Sequence, residues 1–337
     1  MLEEKLLKEI QKHIPLVERP FGWVAKNLGV SEEEVIKAVE DLKTRKVIRQ
    51  ISPIYDTRAV GYDSSLVAFR VPEGRLTEVA SFINTHPGVS HNYERRHEFN
   101  LWFTLAVPPD SGLSLEETVS LMAELQGVEQ YAILRTLKTY KIGVKLDYKD
   151  LKEREEVQIM DRSFRGDLSE TDKRIIRITQ KDIPLAERPF DPLAKEIGVS
   201  TSELLDRLND FKEKGIMRRF SAILFHRKAG FRANGMAVWK VPEDRIDEVG
   251  LYLAGFRSVS HCYQRTTNEF WQFNLFSMIH GRSEEEVIDF VESVREKVSP
   301  EDYDVLFSVR EFKKKRVELF SEEFYEWEKE HVGAHSH

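Results

Sequence analysis

Histidine, tyrosine and arginine recur at alternate positions in two short segments of the chain. The first segment, "SHNYER", starts at residue 90, and the second, "SHCYQR", starts at residue 260. Alternate residues of a β-strand point to the same face, so His91, Tyr93 and Arg95 would share one surface. The equivalent residues of the second segment are His261, Tyr263 and Arg265. A proton-exchanging imidazole, a phenol and a fixed cation on one surface favour acid–base chemistry over core packing.

Both segments belong to a duplication that spans most of the chain. Residues 14–50 begin with "IPLVERPF" and residues 183–219 begin with "IPLAERPF". The match continues through "LVAFRVP" and "MAVWKVP" and ends in "LRTLKTYKIG" and "LFSVREFKKK". Because motifs and order agree, the two halves, roughly residues 1–150 and 165–325, are predicted to share one fold.

Each half opens with three predicted helices. Ser31 precedes the third helix and can cap it, with Glu34 placed for a capping box, and Thr201 or Ser200 has this role in the second half. A short strand follows at residues 47–54. Three helices with an "LGVS" turn and a following strand predict a winged helix-turn-helix domain.

The rest of each half alternates strands and helices in the order β-α-β-β-α-β. This order predicts a ferredoxin-like sheet with both helices on one face, and the open faces of two such sheets can pack together around a pseudo-twofold cleft. The predicted fold class is therefore α+β, a tandem duplication that forms a pseudo-dimer. The predicted boundaries are 1–53 and 169–223 for the winged helix-turn-helix domains, 54–148 and 224–325 for the ferredoxin-like domains, 149–168 for a linker and 326–337 for a tail.

Composition restricts the class of protein. A chain of 337 residues with 41% hydrophobic residues is long enough for two or more domains. Its one cysteine excludes an intrachain disulfide and an all-cysteine metal site within one chain. No apolar run reaches the roughly 20 residues of a membrane span, and the N-terminus reads as an amphipathic helix rather than a signal peptide. We therefore expect a cytoplasmic protein without a membrane partner.

The charge of the predicted recognition helices argues against DNA binding. The whole chain carries a net charge of −7, and residues 31–46 contain five acids against four bases. Three consecutive glutamates at the start of that helix would repel phosphate groups. DNA is therefore not the expected partner.

Several motifs resemble the siroheme decarboxylases, which are built on paired Lrp/AsnC-type modules. These motifs are "RPF", "SHNYERRHEFNLWFTL", "SHCYQR", "FNLFSMIHG" and "REFKK", within about residues 14–145 and 183–320. The first half looks like the A-type subunit and the second like the B-type subunit, which usually occur as separate chains. One departure is Thr266, where a proline often follows the arginine.

The resemblance implies conversion of siroheme to 12,18-didecarboxysiroheme by loss of two acetate carboxyl groups, in alternative heme or nitrite-reductase heme biosynthesis. It makes His91 and His261 the leading acid–base groups or contacts to the substrate iron, two roles that the sequence does not separate. Tyr93 and Tyr263 would hold a carboxylate or relay a proton. No redox cofactor is required, and the iron belongs to the substrate.

The expected substrate-binding residues are arginines, tryptophans, asparagines and histidines. Arginines suit the carboxylates of siroheme because a guanidinium binds a carboxylate through two hydrogen bonds. The candidates are Arg95, Arg265, Arg218, Arg219 and Arg227. Trp102 and Trp271 would form a flat wall for the ring or belong to the core, and Asn100 and Asn274 would bind polar substituents or end a strand. His97 occurs only in the first half, and His280, matched by Ala106, is a weaker candidate.

Two other functions are compatible with the same residues. One is a heme-responsive Lrp/AsnC-like transcriptional regulator, and the other is a non-catalytic tetrapyrrole carrier. Heme and didecarboxysiroheme would then be ligands rather than products. The fused chain supplies its own pseudo-dimer, so a monomer and a homo-oligomer are both compatible with the sequence.

Overall fold

The computed structural model describes residues 1–143, 147–157, 167–225 and 230–333. The chain forms two compact units, to which both halves contribute. The helix unit contains residues 1–62, 167–225 and 318–322, and the sheet unit contains the other described residues.

The first half begins with three helices and a strand: α1 (Leu2–Lys12), α2 (Pro20–Leu28), α3 (Glu32–Thr44) and β1 (Ile48–Tyr55). It continues with β2 (Asp63–Arg70), α4 (Leu76–Asn84), β3 (Val89–Arg95), β4 (Leu101–Val107), α5 (Leu115–Gln126), β5 (Gln130–Leu134) and β6 (Thr136–Ile142). This order matches the predicted helix-turn-helix and β-α-β-β-α-β pattern, with the last strand broken at Arg135.

The second half repeats the order: α6 (Glu170–Thr179), α7 (Phe190–Ile197), α8 (Thr201–Glu213), β7 (Met217–Leu224), β8 (Ala233–Lys240), α9 (Ile246–Ala254), β9 (Val259–Arg265), β10 (Leu275–Gly281), α10 (Glu284–Val298) and β11 (Asp302–Lys314). A short 3₁₀-helix (Glu243–Arg245) precedes α9, and α11 (Glu322–Gly333) follows β11. Within the part of the chain that the structure describes, no helix is both long and apolar enough to cross a membrane.

Local signals explain the turn between the second and third helices. Gly29 and Gly198 end α2 and α7 with positive φ angles of 69° and 91°, a conformation that favours glycine. The Ser31 hydroxyl then accepts a hydrogen bond from the Glu34 backbone amide, and Ser200 caps α8 in the same way. Of the two caps predicted for the second half, the structure uses Ser200.

Reciprocal contacts join the two halves within the helix unit. Strands β1 and β7 pair antiparallel in a two-stranded sheet. The Ile14 amide donates to the Phe220 carbonyl at 2.8 Å, and the Ile183 amide donates to the Ile51 carbonyl at 2.9 Å. The duplicated sequence therefore produces a duplicated set of contacts.

The sheet unit contains nine strands in the order β5-β2-β4-β3-β11-β8-β10-β9-β6. The halves exchange their last strands, because β6 of the first half pairs with β9 and the end of β11 pairs with β3. The exchange places Ile142 opposite His261 and Lys314 opposite His91. Each His-Tyr-Arg strand is therefore flanked on one side by a strand from the other half.

Three hydrophobic clusters fill the sheet unit. One packs α4, α5 and α11 on the first half's sheet, and one packs α9 and α10 on the second half's sheet. The third joins residues of both halves, including Trp102, Trp271, Phe276 and Met236. The open faces of the two sheets thus cover each other, which agrees with the predicted pseudo-twofold packing.

The structure divides the chain differently from the predicted boundaries. Residues 54–62 lie in the helix unit, where the Tyr62 hydroxyl accepts a hydrogen bond from the Phe320 amide at 2.6 Å. Within the predicted linker, Leu151 is buried in the sheet unit. The predicted tail is wrong for residues 326–333, which continue helix α11 because Phe324 and Trp327 are buried against the first half's sheet.

We expect Trp327→Ala to lower the free energy of unfolding by about 3–5 kcal/mol, because it removes a large buried side chain. Trp327 is 4% exposed, and its indole N–H donates to the Thr85 hydroxyl at 3.0 Å. Urea denaturation measures the change. The control is Trp23→Ala at a tryptophan that is 42% exposed, and equal losses from both variants would contradict a packed α11.

Candidate active site

One cavity of about 270 Å³ brings the two His-Tyr-Arg sets together within the sheet unit. Its lining consists of Leu66, His91, Tyr93, Arg95, Trp102, Thr104, Met236, His261, Tyr263, Arg265, Phe276 and Met278. These twelve residues are six pairs of equivalent positions in the duplication. The cavity therefore lies where the two halves face each other, and each half supplies the same six positions.

Strand geometry explains why the three chemically active residues of each half reach the same cavity. Alternate residues of β3 and β9 point to the face opposite the helices. The intervening Asn92 and Cys262 are fully buried on the helix side. A shift of one residue in either strand would exchange these two sets.

Arg95 is buried and Arg265 is partly buried, and neither has a carboxylate partner among the described residues. Arg95 is 8% exposed, and its Nη1 donates to the Leu306 carbonyl at 3.2 Å. Arg265 donates from Nη1 to the Leu134 carbonyl and to the Thr136 hydroxyl, both at 3.0 Å. The Nε of each guanidinium has no hydrogen-bond partner in the described structure.

The pKa values of the two cavity arginines are low for this residue type. Burial lowers the pKa of both side chains to about 10, and the nearby tyrosines, Tyr93 and Tyr263, oppose that shift only partly. Both guanidinium groups are still charged at neutral pH. Because burying an uncompensated cation is unfavourable, the cavity is suited to an anionic ligand.

The tyrosines lie next to these cations. The Arg265 guanidinium lies 4.6 Å from the centre of the Tyr263 ring, and that of Arg95 lies 5.8 Å from the Tyr93 ring. Burial and Glu311 raise the pKa of Tyr93, while Arg95 opposes the shift. Tyr93 is therefore protonated at neutral pH and can donate a hydrogen bond.

Each histidine is held by the serine that precedes it. The Ser90 hydroxyl lies 2.9 Å from His91 Nδ1, and the Ser260 hydroxyl lies 2.8 Å from His261 Nδ1. Burial lowers the pKa of both histidines, aided by Lys314 at His91 and by Arg265 and Lys141 at His261. Both rings are therefore neutral near pH 7 and can accept a proton.

Other predicted residues serve the core instead of the cavity. His97 accepts a hydrogen bond from the Phe99 amide at 3.0 Å, and its ring packs 5.4 Å from that of Trp271. Trp271 in turn packs 5.0 Å from Trp102, which does line the cavity. Of the two tryptophans proposed as a flat wall, only Trp102 contacts the cavity directly.

The paired asparagines have structural roles. Asn100 accepts from the Val71 amide at 2.9 Å and donates to the Val71 carbonyl at 3.0 Å. Asn274 makes the same two bonds to Val241, at 3.0 and 2.8 Å. The prediction that these amides bind the substrate is therefore replaced by the alternative that they end a strand.

We expect Asn274→Ala to lower the free energy of unfolding by about 1–3 kcal/mol, because it leaves buried backbone groups of Val241 without partners. Turnover per folded molecule should not change. Denaturation curves and activity normalised to folded protein separate the two effects. A large loss of turnover at unchanged stability would return Asn274 to the binding site.

The remaining predicted arginines lie elsewhere. Arg218 and Arg219 belong to β7 of the helix unit, where Arg218 pairs with Asp56 at 3.2 Å. The cavity is lined by residues of the sheet unit alone. Arg227 lies outside the described residues. Arg96, which is out of phase with the cavity face, pairs with Glu284 at 3.2 Å.

Five lining residues were missing from the sequence prediction: Leu66, Thr104, Met236, Phe276 and Met278. Thr104, Phe276 and Met278 belong to β4 and β10, which lie beside β3 and β9. Leu66 and Met236 lie one strand further away, in β2 and β8, and none of the five carries a charge. Their alternation along the duplicated strands was the available signal. The predicted site was built from acid–base, charged, amide and tryptophan side chains, and these five residues have none of them.

Comparisons with known proteins now bear on this cavity. The family model for the siroheme decarboxylase NirDL-like HTH domain matches residues 3–49 and 172–218, and that for the AsnC-like ligand binding domain matches residues 59–141 and 228–313. A siroheme decarboxylase from Hydrogenobacter thermophilus is 51% identical over 98% of both chains. The chain belongs to the siroheme decarboxylase family.

Solved structures of the family agree with the architecture. The crystal structure of the siroheme decarboxylase NirDL covers 100% of both chains with a TM-score of 0.83 and 46% identity. A second structure of NirDL, in complex with an iron-uroporphyrin III analogue, covers 99% of both chains with the same TM-score and identity. The predicted α+β fold with duplicated siroheme decarboxylase modules is thereby confirmed.

Proposed function

We propose that this chain is a siroheme decarboxylase that removes two acetate carboxyl groups and yields 12,18-didecarboxysiroheme. The observation that carries the proposal within the molecule is the pair of cavity arginines, Arg95 and Arg265, which have no carboxylate partner among the described residues and whose Nε atoms are buried. Siroheme supplies the missing carboxylates. Family membership supports the same reaction.

Substrate binding follows from the two cations. Arg95 and Arg265 come from opposite halves, so together they can hold two carboxylates of one ligand. Each has a buried Nε–H that lacks a partner in the described structure, and a carboxylate beside the guanidinium would offset the cost of burying that cation. Substrate binding therefore stabilises charges that the free protein leaves uncompensated.

The size of the cavity limits how much of the substrate it encloses. Pockets that enclose a drug-sized ligand measure about 300–1,000 Å³, and siroheme is larger than most drugs. At about 270 Å³ the cavity holds one edge of the macrocycle with its acetate arms. The rest of the ring then lies outside the cavity, and His91 is the exposed residue of the lining.

The chemistry requires the loss of carbon dioxide and the gain of one proton for each acetate. The bond between the methylene carbon and the carboxylate breaks, carbon dioxide leaves, and the macrocycle accommodates the electron pair until the carbon is protonated. His91 or His261, each neutral at rest, first takes up a proton from solvent and then delivers it to that carbon. The apolar lining by Leu66, Met236 and Met278 favours loss of the carboxylate charge.

The test is incubation of the anaerobic protein with siroheme, followed by mass spectrometry of the tetrapyrrole. We expect two successive losses, each equal to the mass of carbon dioxide. Heat-denatured protein serves as the control. If siroheme binds and is recovered unchanged, the protein is a carrier and the proposed reaction is wrong.

A further inference from the structure

A chain of hydrogen bonds extends from the cavity into the second half's sheet. His261 Nδ1 lies 2.8 Å from the Ser260 hydroxyl, which lies 2.6 Å from Nε2 of His280. His280 Nδ1 lies 2.8 Å from the side-chain oxygen of Asn234. His280 is absent from the lining of the cavity and so acts through Ser260.

The donor and acceptor of each hydrogen bond in this chain follow from Asn234, the last residue in it. The Asn234 oxygen only accepts, so His280 Nδ1 carries a proton and donates it. Burial lowers the pKa of His280 to about 4, so the ring is neutral and its Nε2 accepts from Ser260. The Ser260 oxygen then accepts from His261 Nδ1. His261 is thus protonated on Nδ1 and keeps a lone pair on Nε2.

The first half lacks the equivalents of His280 and Asn234 that end this series of hydrogen bonds. Ala106 occupies the position equivalent to His280, and its register partner is Ser64, where the second half pairs His280 with Asn234. Among the residues that the structure describes, His91 Nδ1 therefore contacts only the Ser90 hydroxyl, which can donate or accept. Nothing in the described contacts of Ser90 selects one tautomer of His91.

We propose that His280 is a positioning residue that fixes His261 as the Nδ1–H tautomer, whereas His91 is free to use either ring nitrogen. The inference deepens the proposed function and rests on it for its consequence in catalysis. His261 presents a fixed lone pair to the substrate, as proton acceptor or electron-pair donor. His91 can present either an N–H or a lone pair, so the two histidines are not interchangeable.

The tautomers are read directly in the protein without substrate. Long-range proton–nitrogen NMR correlations of nitrogen-15-labelled protein distinguish Nδ1–H from Nε2–H histidines, and comparison with His261→Gln assigns the signals. We expect His261 to be Nδ1–H in the wild type and a mixture of tautomers in His280→Ala. Ser90→Ala, the control in the other half, should leave the His261 signals unchanged.

Turnover of siroheme gives the second measurement. His280→Ala should lower kcat about tenfold to a hundredfold, the usual effect of removing a residue that orients a reacting histidine through a hydrogen bond. The alanine should be tolerated by the fold because the first half carries Ala106 at this position. His280→Gln keeps an acceptor for Ser260 and a donor for Asn234, so it should recover most of the rate.

Two results would overturn the inference. One is an Nε2–H signal for His261 in the wild type, and the other is an unchanged His261 spectrum in His280→Ala. Failure of the wild type to decarboxylate siroheme would instead contradict the proposed function, while the tautomer of His261 would still be measured. The two proposals therefore fail separately.

Discussion

Arg265→Met is expected to weaken siroheme binding by about thirtyfold or more, because removing one partner of a buried charge pair costs about 2–5 kcal/mol. Arg95→Met should have an effect of similar size, since Arg95 occupies the equivalent place in the other half. Fluorescence quenching or absorbance titration with siroheme under anaerobic conditions measures the dissociation constant.

The stability of these variants should change little, which distinguishes a binding residue from a structural one. Methionine removes a buried cation that has no carboxylate partner, and this opposes the loss of the hydrogen bonds to Leu134 and Thr136. The melting temperature is therefore expected to remain close to that of the wild type. Substitution of a residue with a purely structural role would instead lower the melting temperature and weaken siroheme binding together.

The matched control for the arginine variants is Arg96→Met. Arg96 follows Arg95 in sequence, but it is exposed and paired with Glu284 outside the cavity. The dissociation constant of the Arg96→Met variant for siroheme should equal that of the wild type. If all three variants bind siroheme equally well, the buried arginines do not hold the substrate carboxylates.

His91→Ala and His261→Ala are each expected to lower kcat by about a hundredfold to a thousandfold, within the usual range for removing a general acid or base. Substrate binding should persist, because the arginines remain. Both rings line the cavity, and they contact the preceding serines and the neighbouring Tyr93 and Tyr263 rings, so the fold should be preserved. Single-turnover assays with siroheme measure the rate.

The tetrapyrroles that the two histidine variants produce show which histidine is needed for which decarboxylation. The two halves differ at the position of His280, so we expect one variant to accumulate the singly decarboxylated intermediate and the other to block both steps. His97→Asn is the control, because His97 lies outside the lining and asparagine keeps an acceptor for the Phe99 amide. Wild-type rates in both alanine variants would exclude the histidines from catalysis.

Much of the architecture is encoded locally and could be predicted. Glycine, serine and the apolar periodicity define the helix-turn-helix elements, and alternation in "SHNYER" and "SHCYQR" predicts a functional strand face. Duplication indicates that two such faces exist. The co-location of His91, Tyr93 and Arg95 with their counterparts in one cavity agrees with that prediction, and their catalytic roles remain a proposal.

Other assignments depended on long-range packing. Asn100 and Asn274 have the composition of binding residues, but each amide bonds to a backbone that lies 29 or 33 residues earlier in the chain. The terminal histidine-containing segment resembles a tail, yet α11 packs because the first half's sheet offers an apolar surface for Phe324 and Trp327. A local sequence pattern shows neither the backbone groups that the asparagines bind nor the apolar sheet surface that α11 covers.

The sequence by itself determined the duplicated fold and the place of His91, Tyr93 and Arg95, with their counterparts, on alternate strand positions. The tertiary structure decided that Arg95 and Arg265 have no carboxylate partner among the described residues, and that His280 is linked to His261 through Ser260 but has no counterpart at His91. Strand alternation is a property of neighbouring residues, whereas the burial and hydrogen bonding of a side chain depend on which distant strands lie beside it.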